Sequence, residues 1–212
     1  MNIMKVLYEC SNWLAKVMYL HTLWVVFTLA GLVVFGITPA TMALCSVVHK
    51  WYDKDFDLPI FKQFYSTYKA QFKKSNVLGL LLMGFGLFLY IDLKISEEII
   101  QSFYLHAVIL FICFVYLMTV IYMFTIFVRY ELPLFSYFKQ SLFIALARPM
   151  ETIAILLSLF ILYYLFSFVP VLFIFAGSSI IFTPLVWFSY RACLLVEEKK
   201  LHVLNNTVTQ TK

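Results

Sequence analysis

Long runs of apolar residues alternate along this chain with shorter segments that collect its Lys, Arg, Asp and Glu. Five runs are long enough to cross a bilayer: 19–35, 75–91, 103–128, 153–169 and 171–190. A hydrocarbon core about 30 Å thick takes roughly 20 helical residues. The runs are continuously apolar and do not alternate, which points to helices and away from a β-barrel. The third run is long and the fourth short, so their tilts are expected to differ. The pattern predicts an all-α, polytopic membrane helix bundle of about five transmembrane helices.

Between the runs the period changes. Residues 3–18 set Ile3, Val6, Leu7, Cys10, Trp13, Leu14, Val17 and Met18 on one helical stripe. From Ile60 the apolar set is Ile60, Phe61, Phe64, Tyr65, Tyr68 and Phe72, with Lys62, Lys69, Lys73 and Lys74 around it. From Leu134 it is Leu134, Phe135, Phe138, Leu142 and Leu146, with Lys139 and Gln140 among the polar positions. These segments predict interfacial amphipathic helices, apolar side toward lipid and basic side toward water. Packing over the bundle ends is the other use for such a stripe.

The last two segments open alike, with Asp57-Leu58-Pro59-Ile60-Phe61 and Glu131-Leu132-Pro133-Leu134-Phe135, 74 residues apart. An acid offsets the positive end of a helix, and proline suits its first turn. A second echo pairs Ala30-Gly31 and Thr38-Pro39 with Ala176-Gly177 and Thr183-Pro184, about twice that distance on. We therefore expect a parallel internal repeat within one membrane domain, 1–212. Its parts are an interfacial arm at 1–16, a first repeat unit at 17–91, a second at 103–169, a fifth span at 171–190 and a tail at 191–212. Pro39 and Pro184 are expected to kink their helices. Residues 36–48 either prolong the first span past Pro39 or form a re-entrant turn.

Composition supports the membrane reading. Sixty-three per cent of the 212 residues are hydrophobic and 13% charged, against about 25% charged in soluble domains. The net charge of +5 is then expected to face anionic headgroups, not nucleic acid. Lys5 and Lys16 precede the first run. Lys50, Lys54, Lys62, Lys69, Lys73 and Lys74 follow it, Lys94 stands in the second gap, and Arg129, Lys139 and Arg148 stand in the third. The tail adds Arg191, Lys199, Lys200 and Lys212. With five crossings, an outside N-terminus and an inside C-terminus leave thirteen of the sixteen cations in the cytosol, as the positive-inside rule prefers. Lys5, Lys16, the run 23–35 and Thr41-Met42-Ala43 also resemble a secretory signal; the long arm before the run favours a retained span.

Polar groups at membrane depth include His21, Thr22, Thr28, His106, Thr119, Thr125, Ser158, Ser178, Ser179 and Thr183. No carboxylate or arginine falls mid-span, which weighs against ion-coupled transport. His21, His106 and Asp92 share a level near the outer interface and form a candidate polar cluster for a ligand or proton; headgroup contact is the plainer use. On the inner side Arg129, Glu131, Arg148, Glu151, Arg191 and Glu197 form a candidate ion-pair network. Gly79, Gly84, Gly86 and Gly177-Ser178-Ser179 are candidates for close helix approach. The four cysteines are scattered, so no metal site or cofactor is expected. Zinc-protease, nucleophile-elbow and phosphate-loop motifs are missing, and Asn205-Asn206-Thr207 is a glycosylation sequon placed in the cytosol.

Several of these stretches carry a resemblance. Leu23-Trp24-Val25-Val26-Phe27-Thr28-Leu29-Ala30-Gly31 leads to Phe35-Gly36-Ile37-Thr38-Pro39-Ala40-Thr41-Met42-Ala43-Leu44. Phe64-Tyr65-Ser66-Thr67-Tyr68-Lys69, Phe72-Lys73-Lys74-Ser75-Asn76-Val77-Leu78-Gly79, Tyr90-Ile91-Asp92 and Ala147-Arg148-Pro149 follow. Together they resemble the YesL-like family of bacterial integral membrane proteins, over nearly the whole chain. The family has no assigned molecular activity. Its frequent neighbourhood with carbohydrate ABC importers implies an association with sugar uptake. The expectation is a non-enzymatic accessory protein of the bacterial cytoplasmic membrane, partnered by an ABC permease or another membrane protein. A small-solute transporter or channel, and an intramembrane enzyme built on His21, His106 and Asp92, are the alternatives.

Overall fold

The computed structural model describes residues 3–210, and the side chains of 4–5, 7–98 and 100–200. The side chains of Ile3, Val6 and the 205–207 sequon, and all of Lys212, lie outside that set. Among the described residues there are seven α-helices: α1 Ile3–Ala30, α2 Val34–Tyr52, α3 Ile60–Ile95, α4 Phe103–Arg129, α5 Leu134–Ala147, α6 Pro149–Phe168 and α7 Pro170–Gln210. A π-helical turn, Ser96–Ile100, ends α3. Five segments are long and apolar enough to cross a membrane: Leu7–Ala30, Ile60–Glu98, Phe103–Arg129, Pro149–Phe168 and Pro170–Lys200. Phe88, Phe111, Phe160 and Ile174 are among many large apolar side chains left more than half exposed on them. Lipid covers such surface without the cost that water would impose. The chain is an all-α, multi-pass membrane protein.

Helix boundaries differ from the expected ones where no breaking residue stands between segments. From Ile3 onward the arm and the first span form one helix, because α1 holds no Pro or Gly before Gly31. The amphipathic segment 60–74 likewise runs unbroken into the second span as α3. Between the amphipathic segment 134–147 and the span that follows it, Pro149 follows Arg148. Proline pushes the preceding residue out of the α region, and Arg148 has φ −131° and ψ 68°. So α5 and α6 are separate helices where α3 is continuous.

The first span, expected at 19–35, ends at Ala30 and reverses. Leu32 and Val33 take positive φ values of 58° and 64°, a strained choice for a β-branched residue. A Cβ on Gly31 would lie 2.3 Å from the Gly36 Cα, and one on Gly36 would lie 2.3 Å from the Thr28 carbonyl oxygen. Glycine at both places lets α1 and α2 meet backbone to backbone. Residues 36–48 are thus part of a returning helix, and Thr38–Val48 are all buried. Pro39 and Pro184 lie inside helices that continue through them.

The chain divides into two compact units. The first comprises 1–76 with 155–187, and the second 77–154 with 188–212. In the first, Val17, Leu20, Met42, Leu44 and Phe64 are fully buried. Trp24 Nε1 donates to Thr41 Oγ1 at 3.0 Å and joins α1 to α2. Phe27 meets Phe64 and Tyr68 of α3 with ring centroids 5.2 and 4.9 Å away. Lys16 Nζ donates to the Phe56 carbonyl at 2.8 Å, which places the N-terminal arm and the 53–59 connection at one end of the hairpin. In the second unit Tyr122, Met123, Ile126, Tyr137 and Ile144 form the core of α4 against α5. Tyr122 and Thr152 hydroxyls share a 3.0 Å hydrogen bond.

Candidate functional site

Three groups of side chains are the candidates for chemistry, and in two of them the fold ties up the central members, His21 in one and Arg129 with Glu197 in the other. His21, on α1, sits against α7 in the first unit. Its Nδ1 lies 2.7 Å from the Ser178 hydroxyl and 3.2 Å from the Ser178 amide, and its Nε2 lies 3.0 Å from the Ile174 carbonyl. The amide can only donate, so Nδ1 accepts and Nε2–H donates. The ring is neutral in this arrangement, with the tautomer assigned from its partners. It bridges a carbonyl and an amide four residues apart on α7, the spacing at which an α-helix pairs such groups. Gly177, beside this bridge, packs on the Phe173 ring of its own helix.

His106 and Asp92 belong to the second unit. Neither forms an ion pair with the other among the described residues, and His106 Nδ1 has no hydrogen-bond partner there. No group of three or more His, Cys, Asp or Glu is arranged to hold a metal ion among the described residues.

The inner ion-pair network is narrower than the sequence suggests. Arg129, at the end of α4, grips Glu197 of α7 through Nη2 at 2.7 Å and Nε at 3.3 Å. Two donors on two carboxylate oxygens is the strong, orientation-specific form of this pair. The Tyr130 hydroxyl also donates to Glu197, and the guanidinium stands over the Tyr190 ring, 4.8 Å from its centroid. Burial, then the carboxylate it bonds, pushes the Tyr130 phenol well above its ordinary pKa. Arg148 donates to the Leu195 carbonyl at 2.7 Å. Glu131, Glu151 and Arg191 take no part in an ion pair among the described residues. Tyr130 and Tyr190 are not legible from sequence as partners of Arg129, because no spacing rule links positions 60 residues apart. Their one signal is their place beside Arg129 and Arg191.

The third group is open. On the first two turns and beyond of α3, Phe61 and Tyr65 stack with centroids 6.0 Å apart and planes 2° from parallel. Lys62, Lys69 and Lys73 share that exposed face, and among the described residues none has a hydrogen bond or ion pair. The opposite face of the same helix is occupied. Phe64 is fully buried, Gln63 Nε2 donates to Ser46 Oγ at 2.7 Å, and the Tyr68 hydroxyl donates to the Phe27 carbonyl at 3.2 Å. The ridge is therefore held rigidly while its cations remain unneutralised. Of the small-residue candidates, Gly86 lies against the Tyr116 hydroxyl, but a Cβ on Gly84 would meet nothing within 4 Å. Gly84 packs against no neighbour.

These features define a multi-pass membrane protein whose Arg129–Glu197 and His21–Ser178 clasps are satisfied within it and whose α3 ridge carries three lysines that are unpaired among the described residues. The family model described as a protein of unknown function, DUF624, matches residues 17–93. Three relatives from Bacillus subtilis (strain 168) align along most of the chain. The uncharacterized protein YesL is 32% identical over 89% of this chain and 91% of its own length. The uncharacterized protein YesV is 34% identical over 87% and 90%, and the uncharacterized protein YteU 33% over 88% and 85%. The chain belongs to the YesL-like family. No solved structure matches it.

Proposed function

We propose that this protein is a non-enzymatic accessory subunit of the bacterial cytoplasmic membrane that works by docking. Its partner is a permease of a carbohydrate ABC uptake system, and its docking face is the Phe61–Lys73 ridge of α3. The observation that carries this reading is the contrast in occupancy. His21, Arg129 and Glu197 are tied into intramolecular bonds, while among the described residues Lys62, Lys69 and Lys73 stand unpaired beside stacked aromatics. Aromatic and basic side chains on a rigid helix suit an acidic protein surface: the rings supply contact area and the charges steer and align. The link to sugar uptake rests on the family resemblance.

The orientation that goes with this reading differs from the five-crossing one. We infer that α2 is a further crossing over 34–48, shielded by protein and so free to carry Thr38, Thr41 and Ser46. The helical hairpin then returns the chain to its starting side, in keeping with the 2.8 Å contact of Lys16 with Phe56. With six crossings both termini face the cytosol, and fifteen of the sixteen Lys and Arg do so, leaving Lys94 outside. This satisfies the positive-inside rule better than an outside N-terminus.

Two experiments test these statements. A photo-crosslinking residue at Tyr65 in native membranes should give an adduct with a sugar-importer permease, identified by mass spectrometry. Changing Lys62, Lys69 and Lys73 to Glu should abolish it. An adduct indifferent to those changes, or none with a permease, refutes the docking reading. For orientation, Lys5→Cys, Asp55→Cys and Gln101→Cys are compared in a background with Cys10 and Cys113 changed to Ser. An impermeant maleimide on intact cells should label only Gln101→Cys; labelling of Lys5→Cys from outside restores the N-out arrangement.

A further inference from the structure

The second unit contains a cleft of about 610 Å³ that no polar group of the protein uses. Three helices wall it. Leu81 and Phe85 come from α3, Ile112, Val115, Tyr116 and Thr119 from α4, and Phe135, Phe138, Lys139 and Leu142 from α5. The α4 and α5 sets both follow the i, i+3, i+4, i+7 spacing of one helix face, so two complete stripes face a shared space without closing on it. The two hydroxyls in the wall are already committed. Tyr116 donates to the Leu82 carbonyl at 2.7 Å and Thr119 to the Val115 carbonyl at 2.8 Å. The cleft thus offers hydrocarbon and ring surface with no free hydrogen-bonding group inside. Its volume falls in the range of small-ligand sites, roughly 300–1,000 Å³. One charge stands in the lining, the exposed Lys139, which has no ion pair among the described residues.

We propose that this cleft holds an acyl chain of an anionic phospholipid, with the Lys139 ammonium on its phosphate. Lysine suits the role: its methylene stem lies along apolar surface while the ammonium reaches the headgroup layer. The acyl chain fills the groove that α3, α4 and α5 leave beside the α4–α5 core, and the headgroup selects among lipids. A neutral lipid supplies the same hydrocarbon but no net charge for Lys139. A second copy of this chain would have to bring both an apolar ridge and an anion to the same place. Around α5 the acids are Glu131 and Glu151, both outside the cleft lining.

Native mass spectrometry tests the proposal on the full-length protein purified in mild detergent. The protein is incubated with vesicles of equal dioleoyl phosphatidylglycerol and dioleoyl phosphatidylcholine, then stripped in steps. One phosphatidylglycerol should persist, preferred over phosphatidylcholine by roughly fivefold, the scale of one lysine facing an anionic lipid. Lys139→Glu should erase the preference and Lys139→Arg should keep it. Leu142→Trp, which fills the cleft, should remove the retained lipid of either kind. Helix content by circular dichroism confirms that each variant is folded. Should the tryptophan variant not fold, the exposed Lys139 pair of substitutions decides alone. Equal retention of the two lipids by the unaltered protein, a preference that survives Lys139→Glu, or a lipid-free dimer would overturn the proposal. Lys62→Glu, Lys69→Glu and Lys73→Glu should leave the lipid ratio unchanged, so this test stands or falls apart from the docking reading.

Discussion

The substitution Gly36→Ala probes the α1–α2 hairpin at its tightest point. The added methyl would sit 2.3 Å from the Thr28 carbonyl oxygen, 2.8 Å from the Thr28 Cα and 2.9 Å from the Phe27 oxygen. All three are backbone atoms, so no rotamer change relieves the clash and the two helices must part. Leu32 and Val33 already hold positive φ in the turn, which leaves little slack there. Overpacking of this kind costs about 1–3 kcal/mol. At roughly 2–4 °C per kcal/mol for a chain this long, the apparent Tm should fall by several degrees. Gly84→Ala is the matched control, since its methyl meets nothing within 4 Å. Alanine is the better helix former by about 0.8–1 kcal/mol, so that variant should melt at or above the parent. Thermal unfolding of both variants in the same detergent, followed by intrinsic fluorescence, reads the comparison. If Gly36→Ala melts as high as the parent, or if Gly84→Ala falls as far, the backbone-contact argument is wrong.

Further outcomes follow from the two clasps and from Tyr52. Glu197→Gln keeps the side-chain shape but leaves Arg129 without its counter-charge. The cost should be about 1–3 kcal/mol, short of a fully buried pair because the Glu197 side chain is 39% exposed. Arg129→Gln added to it should cost less than the sum of the single changes in the same melting assay. His21→Phe removes the bridge between Ile174 and Ser178 and should lower stability by about 1–3 kcal/mol, read as a lower apparent Tm. Tyr52 donates its hydroxyl to the Thr183 carbonyl at 3.1 Å, and burial pushes its phenol up to about 12. Its unfolded form ionises near pH 10 and its folded form does not, so its contribution is complete below pH 10 and is lost as pH rises to about 12. Tm measured from pH 9 to 12 should therefore fall less steeply in Tyr52→Phe than in the parent.

Much of the architecture could be read along the chain because lipid imposes it locally. Each spanning segment must satisfy its own backbone and cover itself with apolar side chains, so the helical class and the five long apolar segments are legible in the sequence alone. The same local logic explains the break at Arg148-Pro149. The missed boundaries share a cause: residues 3–18 and 60–74 change hydropathy without a residue that stops a helix, and hydropathy alone does not end one. Which polar groups pair was a matter for tertiary structure. His21 meets Ser178 across 157 positions and Arg129 meets Glu197 across 68, distances over which no spacing rule acts. The return of α2 beside α1 was decided in the same way. Its burial is supplied by neighbouring helices, so its own sequence could stay polar enough to look ambiguous. By itself, then, the sequence determined which segments belong in a membrane, because that depends on each segment's composition and length. Only the folded chain decided which side chains are spent on one another and which, like Lys62, Lys69, Lys73 and Lys139, are left to meet something else.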